Sequence, residues 1–412
     1  MNKHLLTGAL AALLSTIADS SAADNSLANT WKIGTPIVAY WAGPPMTDAT
    51  AKQMAEGGWN LVWCSSEQEL DTAQRHELRG LLTNGLLTPA TLGDPEQRAK
   101  LDELIARVSK HPAMYAYHLI DEPNASQFQA LGRLVAYLRE RDPAHLAYIN
   151  LFPTYATNEQ LGTSGAVATA YNEHLRLYIE QVKPALISYD HYQFELKSDK
   201  DQYFLNLALV RRAAQKADVP FLNIVQACTW APQAMRIPNA NELRYLVFTT
   251  LAYGAQAISY YVYAHPGHEG SIANLDGTPG PLYHALKTYN REFVAIAKEL
   301  QPLRSMAVQH TAMHEPGCEP MPADAPFRID QTKPSQPRGF LLGLFGTKDK
   351  PSHVMVVNLD YTTAVSATLI GPGELETFDP ATHQWTPVKK SEAELSLPPG
   401  GGRLVRVVTT PN

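Results

Sequence analysis

Short apolar runs alternate with longer amphipathic stretches through most of the chain. Runs of strand length, such as Trp59–Trp63 and Phe221–Ala227, are followed by segments with helical spacing, such as Phe128–Arg141. We count about eight such strand-then-helix units before Leu300, which is the number in a closed barrel. The pattern therefore predicts an α/β fold, a (β/α)8 TIM barrel, because alternating strands and helices favour a parallel sheet covered by helices.

The pattern also places the barrel elements along the chain. The predicted strands are Pro36–Tyr40, Trp59–Trp63, Gly85–Thr91, Met114–Ile120, Leu146–Phe152, Leu186–Tyr192, Phe221–Ala227 and Ala257–Tyr263. The predicted helices are Thr47–Glu56, Leu70–Leu82, Pro95–Ser109, Phe128–Arg141, Tyr171–Val182, Gln202–Ala217, Asn241–Tyr253 and Tyr283–Leu300. An open doubly wound sheet is the alternative, but the loop Trp41–Pro45 is not the glycine-rich phosphate turn that such a sheet usually carries after its first strand.

Helical periodicity ends near Leu303. Short strands separated by Gly, Pro and Asp turns then predict a small all-β domain, a β-sandwich. These strands are Gly339–Phe345, His353–Asn358, Ser366–Ile370, Glu374–Phe378 and Leu404–Val408. The proline-rich stretch Glu315–Pro337 between them and the barrel reads as a long loop or an irregular lead-in.

The first residues have the features of a secretory signal peptide. Lys3 provides a positive start, Leu5–Leu14 an apolar core, and Ser20–Ala22 a small-residue cleavage site. We therefore expect a signal peptide at 1–22, a barrel at 23–302 and a C-terminal domain at 303–412, in a protein that is periplasmic or secreted. No other apolar run reaches transmembrane length, so we expect no membrane anchor.

Charge and cysteine content exclude some classes of function. The net charge of −6 comes with no basic stripe, which argues against a nucleic-acid partner. Three widely spaced cysteines, Cys64, Cys228 and Cys318, permit one disulfide and do not match a zinc motif. We read them as structural or incidental. The oligomeric state is left open.

The strand that begins at Met114 carries the most informative residues. It ends at Asp121-Glu122-Pro123, because proline cannot continue a sheet ladder. Carboxylates at the C-terminal end of a barrel strand lie on the catalytic face. The alternative is that the pair caps the next helix, since acidic side chains favour helix N-termini.

In a barrel, the ends of all eight strands surround one cleft, and several of them carry acids or aromatic rings. Two carboxylates facing each other across an aromatic groove are what glycoside hydrolysis needs. We predict Glu122 as general acid/base and Asp190 as the second carboxylate, with Asp121 as an orienting neighbour that points to the other side of its strand. The predicted substrate-binding residues are Trp41, Asp121, Asn124, Phe152, Tyr155, His191, Tyr192, Gln226, Trp230 and Tyr261.

Other acids and histidines near the strand ends are weaker candidates. The acids are Glu67, Glu195, Glu269 and Asp276. His118 lies in mid-strand and is expected in the barrel core. His265, His268 and Glu269 lie close together, but their spacing matches no strong ligand motif, so we predict neither a metal nor another cofactor. The expected partner is a carbohydrate.

Three stretches resemble retaining glycoside hydrolases of the (β/α)8 superfamily called clan A, and within it the family 42 β-galactosidases and related exported glycosidases. They are Tyr117–Asn124 at strand four, Asn274–Tyr283 before the last barrel helix, and Phe378–Trp385 followed by Leu397–Gly402 in the C-terminal domain. The resemblance spans most of the mature chain. It implies a barrel with a closing β-sandwich, and Glu122 as the acid/base glutamate.

Two positions depart from the pattern of that superfamily. The residue before the acid/base glutamate is usually Asn and here is Asp121. The nucleophile is usually a Glu at the end of strand seven, and the matching position here is Gln226, which cannot form the same covalent intermediate. A shifted strand register, a substitute acid such as Asp190, an inverting mechanism, a polysaccharide lyase that uses Tyr and His, or a sugar-binding barrel without turnover all remain open.

Overall fold

Parallel strands and helices alternate from Ile37 to Leu300 in this computed structural model, which describes residues 30–330, 337–348 and 350–408. Within these residues, eight strands form one sheet in the order β1-β8-β7-β6-β5-β4-β3-β2, with parallel pairing. They are β1 (Ile37–Trp41), β2 (Leu61–Cys64), β3 (Arg79–Leu82), β4 (Met114–Asp121), β5 (Leu146–Leu151), β6 (Ile187–His191), β7 (Phe221–Gln226) and β8 (Ala257–Tyr261). The predicted (β/α)8 barrel is confirmed.

Side chains join the two ends of this sheet. The backbone N–H of Asn60 donates to Val38 O at 3.0 Å, and the Asn60 amide bonds Val38 N at 3.0 Å and Pro36 O at 2.9 Å. Further along the seam, Trp63 Nε1 donates to Tyr40 O at 2.7 Å. An asparagine amide supplies one donor and one acceptor, as a peptide group does, so Asn60 replaces part of a strand ladder between β1 and β2.

Helices surround the sheet and bury their apolar faces against it. They are α1 (Asp48–Glu56), α2 (Glu67–Arg75), α3 (Pro95–Val108), α4 (Phe128–Arg141), α5 (Asn158–Leu161), α6 (Val167–Val182), α7 (Tyr203–Ala217), α8 (Ala240–Ala252) and α9 (Pro281–Leu300), with 3-10 turns at Pro89–Gly93 and Ala125–Gln127. Thr47, the first residue of the predicted helix, caps α1 through its side chain. The short helix α5 and the first turn of α6 were not predicted.

Two predictions in the first half of the barrel are wrong. The predicted helix Leu70–Leu82 contains the end of α2, a turn and the whole of β3. Glu77 has a φ of +57°, the left-handed conformation that ends a helix, and no Gly or Pro marks it in the sequence. The predicted strand Gly85–Thr91 is a turn and a 3-10 helix, because Asn84 accepts the backbone N–H of Leu86 and starts a turn.

The C-terminal region forms two antiparallel sheets, which confirms the predicted all-β domain. One has the order β15-β14-β17-β12-β11-β9 and the other the order β10-β13-β16. The strands are β9 (Arg304–His310), β10 (Arg328–Ile329), β11 (Phe340–Thr347), β12 (Lys350–Asn358), β13 (Val365–Ile370), β14 (Leu375–Asp379), β15 (Gln384–Pro387), β16 (Glu392–Leu397) and β17 (Gly402–Val407). Four of these, β9, β10, β15 and β16, were not predicted.

The larger sheet has two apolar faces. On β11, Phe340, Leu342 and Leu344 face the core between the two sheets, whereas Leu341 and Phe345 belong to the apolar cluster of the barrel helices. This alternation follows from the two-residue period of a strand. The C-terminal domain is therefore packed on the barrel through a continuous apolar core.

The described residues contain no helix long and apolar enough to cross a membrane. The predicted signal peptide lies outside the described residues, as does the part of the predicted loop from 331 to 336. Cys64, Cys228 and Cys318 are free thiols, the first two buried.

Candidate active site

A cleft of about 360 Å³ opens at the C-terminal ends of the barrel strands. Its lining combines carboxylates, amides, aromatic rings and one lysine, which is the composition of a site for a polar ligand with apolar faces. The residues are Trp41, Asp121, Glu122, Asn150, Phe152, Pro153, Tyr155, Ala156, Gln160, Asp190, Tyr192, Lys200, Trp230, Met235 and Tyr261.

The backbone at the end of β4 turns two adjacent carboxylates into this cleft. The pairing of β4 with β5 shifts between His118 and Ile120, which is a bulge that re-aims the residues beyond it. Glu122 then takes a φ of +46°, a strained conformation for a non-glycine residue, and its N–H donates to Asn150 O at 2.9 Å. Asp121 and Glu122 both line the cleft, so the expectation that Asp121 points to the other side of the strand is wrong.

Asn150, on β5, connects the acids of β4 and β6. Its Nδ2 donates to Asp121 Oδ1 at 3.0 Å and to Asp190 Oδ1 at 2.9 Å. Its Oδ1 accepts from Ser188 Oγ at 2.9 Å, and Tyr148 OH donates to Ser188 at 2.8 Å. This series of hydrogen bonds fixes the orientation of the Asn150 amide, because the opposite flip would place its carbonyl oxygen against both carboxylates.

Glu122 and Asp190 both line the cleft, and the charge of Glu122 acts on Asp190. Asp190 is 2% exposed, and its buried Oδ2 has no hydrogen-bond partner among the described residues. A buried carboxylate oxygen without a partner is costly, so this environment favours the protonated form of Asp190.

Burial and the charges of neighbouring carboxylates raise the pKa of both acids. Burial and then the charge of Asp121 raise the pKa of Glu122 to about 7, and the neighbouring Asp190 lowers it only in part. Burial and the charges of Glu122 and Asp121 hold the pKa of Asp190 well above its usual range. A carboxyl group with a pKa near 7 can donate a proton and take it back at neutral pH.

Aromatic rings form the wall on the β6–β8 side of the cleft. The rings of Tyr192, Trp230 and Tyr261 pack against one another with centroids 4.8–4.9 Å apart. The Tyr261 hydroxyl is hydrogen-bonded to His268 Nε2 at 3.1 Å. On the β5 side, Tyr155 is 36% exposed and carries the Lys200 ammonium 5.0 Å above its ring centroid. Such faces suit the apolar sides of a sugar ring.

The C-terminal domain holds the loop that carries Lys200. Asp199 accepts hydrogen bonds from Arg236 at 2.8 Å, from Arg338 at 2.9 Å and from the Tyr361 hydroxyl at 2.8 Å. Arg338 and Tyr361 belong to the C-terminal domain, so this junction links that domain to the wall of the cleft. The next residue, Lys200, pairs with Glu195 at 2.8 Å.

Three residues predicted to bind substrate lie outside the cleft. Asn124 caps the 3-10 turn after β4 and donates to the carbonyls of Glu159 and Gln160. His191 is buried, donates from Nδ1 to Asn206 Oδ1 at 3.0 Å, and packs against the ring of Tyr155. Neither position supports direct contact with a ligand.

Gln226 is the third of these residues, and its side chain is fully engaged with the backbone. Its Oε1 accepts from Phe194 N at 2.8 Å, and its Nε2 donates to Arg236 O at 2.9 Å and Phe194 O at 3.2 Å. Gln226 is completely buried. It joins the loops after β6 and β7, which does not support the predicted role as a substrate or water ligand.

The weaker acidic candidates are also engaged elsewhere. Glu67 pairs with Arg107 on the surface, and Glu195 pairs with Lys200. Asp276 caps its own turn through Thr278, and the backbone of Glu269 bridges to Thr229. None of these four lines the cleft.

His118 lies in the barrel core, as predicted. It lies among the rings of Trp41, Trp63 and Tyr148 below the cleft, and burial lowers its pKa to about 4. Among the described residues, no group of three or more His, Cys, Asp or Glu side chains is arranged to hold a metal ion, and this includes His265, His268 and Glu269.

Sequence reasoning missed Asn150 and Lys200. Asn150 is a polar residue in an otherwise apolar strand, one position before the strand ends, and this interruption was the available signal. Lys200 comes from a loop whose path the pattern does not predict.

No protein-family model matches the sequence, and no curated protein matches it. A solved structure described as a glycoside hydrolase matches with 12% identity over 90% of this chain and 92% of its own, at a TM-score of 0.51. The β-galactosidase of Marinomonas ef1 matches with 11% identity over 64% of this chain, at a TM-score of 0.45, and the chain spans 60% of that enzyme's length. The endo-β-1,4-mannanase of Thermotoga petrophila matches with 8% identity over 91% of this chain and 98% of its own, at a TM-score of 0.41.

These likenesses concern the fold. The chain shares the fold of the structure described as a glycoside hydrolase along nine tenths of its length. The fold that the predicted resemblance implies is thereby confirmed, and the comparison does not single out family 42.

Proposed function

We propose that the protein is an exported glycoside hydrolase that cleaves glycosidic bonds in oligo- or polysaccharides. The observation that carries this proposal is the pair of acids Glu122 and Asp190, both with raised pKa, in an aromatic-walled cleft at the C-terminal face of the barrel. A glycosidic oxygen is a poor leaving group, so its departure needs a proton from a positioned acid.

Glu122 supplies that proton in our proposal. It is partly exposed in the cleft and has a pKa of about 7, whereas Asp190 lies buried behind it. In our proposal Asp190 does not attack the sugar or activate water itself, because it is almost completely buried and its raised pKa favours the neutral form.

The test is the variant Glu122→Gln, which keeps the shape of the side chain and removes the acid. On any glycoside that the wild type cleaves, we expect a loss in kcat of about 10²- to 10⁴-fold, the range that a positioned acid contributes. Release of reducing ends across a glycan panel measures this. The control is Glu103→Gln, the same change at an exposed position of α3, which should leave turnover unchanged. Turnover of wild-type size in Glu122→Gln would rule out the assignment.

A second candidate function is sugar binding without turnover. The observation that favours it is Gln226, which occupies the end of β7, where a hydrolase of the resembled type carries its nucleophile. Calorimetric binding of a glycan by the wild type, with no new reducing ends over the whole panel, would establish this alternative.

A further inference from the structure

The acids of the cleft all lie on one side of the barrel. Among the described residues that line it, the carboxyl groups are those of Asp121, Glu122 and Asp190, which come from β4 and β6. Four strands around the barrel from β4, the position at the end of β8 is the phenol Tyr261. The described lining of the cleft therefore has no carboxylate opposite Glu122 to attack the sugar.

The two acids at the end of β4 are adjacent in sequence, and both reach the cleft. The left-handed backbone of Glu122 makes this possible, since a continuing strand would send neighbouring side chains to opposite faces. Asp121 is exposed and its carboxylate is held by Asn150, while the backbone N–H of Glu122 donates to Asn150 O. The site thus presents two carboxyl groups from adjacent residues, both positioned through Asn150.

Adjacent carboxyl groups fit a substrate with two neighbouring functional groups. In a 2-acetamido-2-deoxy sugar, the amide nitrogen on C2 is next to the glycosidic oxygen on C1. One carboxyl group can protonate that oxygen while its neighbour accepts a hydrogen bond from the amide N–H. The acetamido carbonyl oxygen then becomes the nucleophile, and substrate-assisted cleavage of this kind needs no enzyme nucleophile.

We propose that the substrates are glycosides of 2-acetamido-2-deoxy sugars, that Asp121 holds the acetamido N–H, and that Glu122 protonates the leaving oxygen. This inference rests on the proposed function. In the first step the acetamido oxygen bonds to C1, the C1–O bond breaks, and the proton of Glu122 goes to the leaving alcohol. The product is a cyclic oxazolinium ion whose N–H is hydrogen-bonded to the Asp121 carboxylate.

Water completes the reaction. It attacks C1 and loses a proton to the Glu122 carboxylate, and the bond from C1 to the acetamido oxygen breaks, which restores the amide. The sum is hydrolysis with retained configuration. The apolar wall of Tyr192, Trp230 and Tyr261 gives the acetamido methyl group an apolar surface to contact.

The experiment compares matched nitrophenyl glycosides that carry at C2 a hydroxyl, an acetamido, a fluoroacetamido or a trifluoroacetamido group. Fluorine withdraws electrons from the carbonyl oxygen, so we expect kcat/KM to fall stepwise along the amide series. The expected fall is at least about tenfold, which corresponds to about 1.4 kcal/mol in the barrier. The acetamido glycoside should also exceed its 2-hydroxy counterpart, and the first sugar released should keep its anomeric configuration by NMR.

The variant Asp121→Asn gives a second measurement. An amide presents a donor where an acceptor is needed, so kcat on the acetamido glycoside should fall by about 10²-fold or more, and much less on any 2-hydroxy glycoside that is cleaved. If Asp121→Asn does not fold, as judged by circular dichroism, the substrate series with wild-type protein still decides the question.

The outcomes separate this inference from the proposed function. Cleavage of 2-hydroxy glycosides as fast as acetamido glycosides, with no effect of fluorine, overturns the substrate class and leaves a glycoside hydrolase that depends on Glu122. Absence of turnover on every glycoside of the panel overturns both.

Discussion

At the scale of single residues, the acids of the cleft are buried, and burial disfavours their charged forms. Glu122 has a pKa of about 7 in the folded protein, against 4.5 for an ordinary glutamate. The folded state therefore binds the proton more tightly than the unfolded state does, and the stability that this contributes is present below pH 4.5. It is lost as the pH rises through about 7, when the buried carboxylate must become charged.

The variant Glu122→Gln should show this loss as a stability difference that depends on pH. Gln resembles the protonated acid and never becomes charged. We expect equal unfolding free energies for variant and wild type at pH 4, and a variant that is more stable by about 1–3 kcal/mol at pH 8, where one pKa unit is worth about 1.4 kcal/mol. Urea unfolding at the two pH values measures the difference.

Glu103→Gln serves again as the control, and its unfolding free energy should follow the wild type at both pH values. A variant Glu122→Gln that is no more stable at pH 8 than at pH 4, relative to wild type, would contradict a raised pKa at this position.

The sequence predicts those site residues whose pattern lies within one short segment of the chain. Asp121 and Glu122 are predictable because the strand, its breaker and the acids are contiguous. Asp190 is also predicted, from its place at a strand end, but its burial depends on how the strands around it are placed. The structural role of Gln226 is equally hidden, since its partners Phe194 and Arg236 come from two different loops.

At the scale of elements, the barrel pattern is predictable wherever strands and helices have ordinary lengths. The exception is the region from Leu70 to Thr91, where a nine-residue helix and a four-residue strand follow each other with no Gly or Pro between them. Apolar spacing alone then continues the helix through the strand. The strands β10 and β15, of two and four residues, are too short to produce a pattern.

The seam between β1 and β2 gives a prediction for Asn60→Ala. This change leaves Val38 N, Pro36 O and one N–H of Arg79 without the partner that Asn60 provides. Unpaired groups of this kind cost about 1–3 kcal/mol, and we expect a loss of stability of that size in urea unfolding. The control is Asn172→Ala at an exposed position of α6, which should change the free energy of unfolding by less than about 0.5 kcal/mol. Equal stability of the two variants would show that the seam does not depend on Asn60.

At the scale of the whole molecule, the C-terminal domain is part of the barrel's structure and of its cleft wall. Its larger sheet shares the apolar cluster of the barrel helices, and its Arg338 and Tyr361 hold Asp199 beside Lys200. The existence of this domain was predictable from the turn-rich pattern after Leu303, but its attachment was not, because the contacts join residues that lie far apart in the chain.

A substitution at Gly343 can test how closely the C-terminal domain must pack against the barrel. Gly343 lies on β11 against the last turn of α8, and a Cβ atom there would collide with the carbonyl oxygen of Ala252. Backbone cannot move aside as a side-chain tip can, so Gly343→Ala must separate the sheet from the helix. We expect a loss of about 1–3 kcal/mol or more, the usual size for overpacking.

Gly93→Ala is the matched control for that experiment, because its added Cβ meets no atom within 4 Å. In thermal unfolding experiments, only Gly343→Ala should have a lower unfolding midpoint than the wild type. Because the same domain holds the loop with Lys200, that variant should also weaken substrate binding, seen as a raised KM. If Gly343→Ala unfolds like the control and binds like the wild type, the sheet and α8 have room between them, and the domain is attached to the barrel mainly through the Asp199 junction.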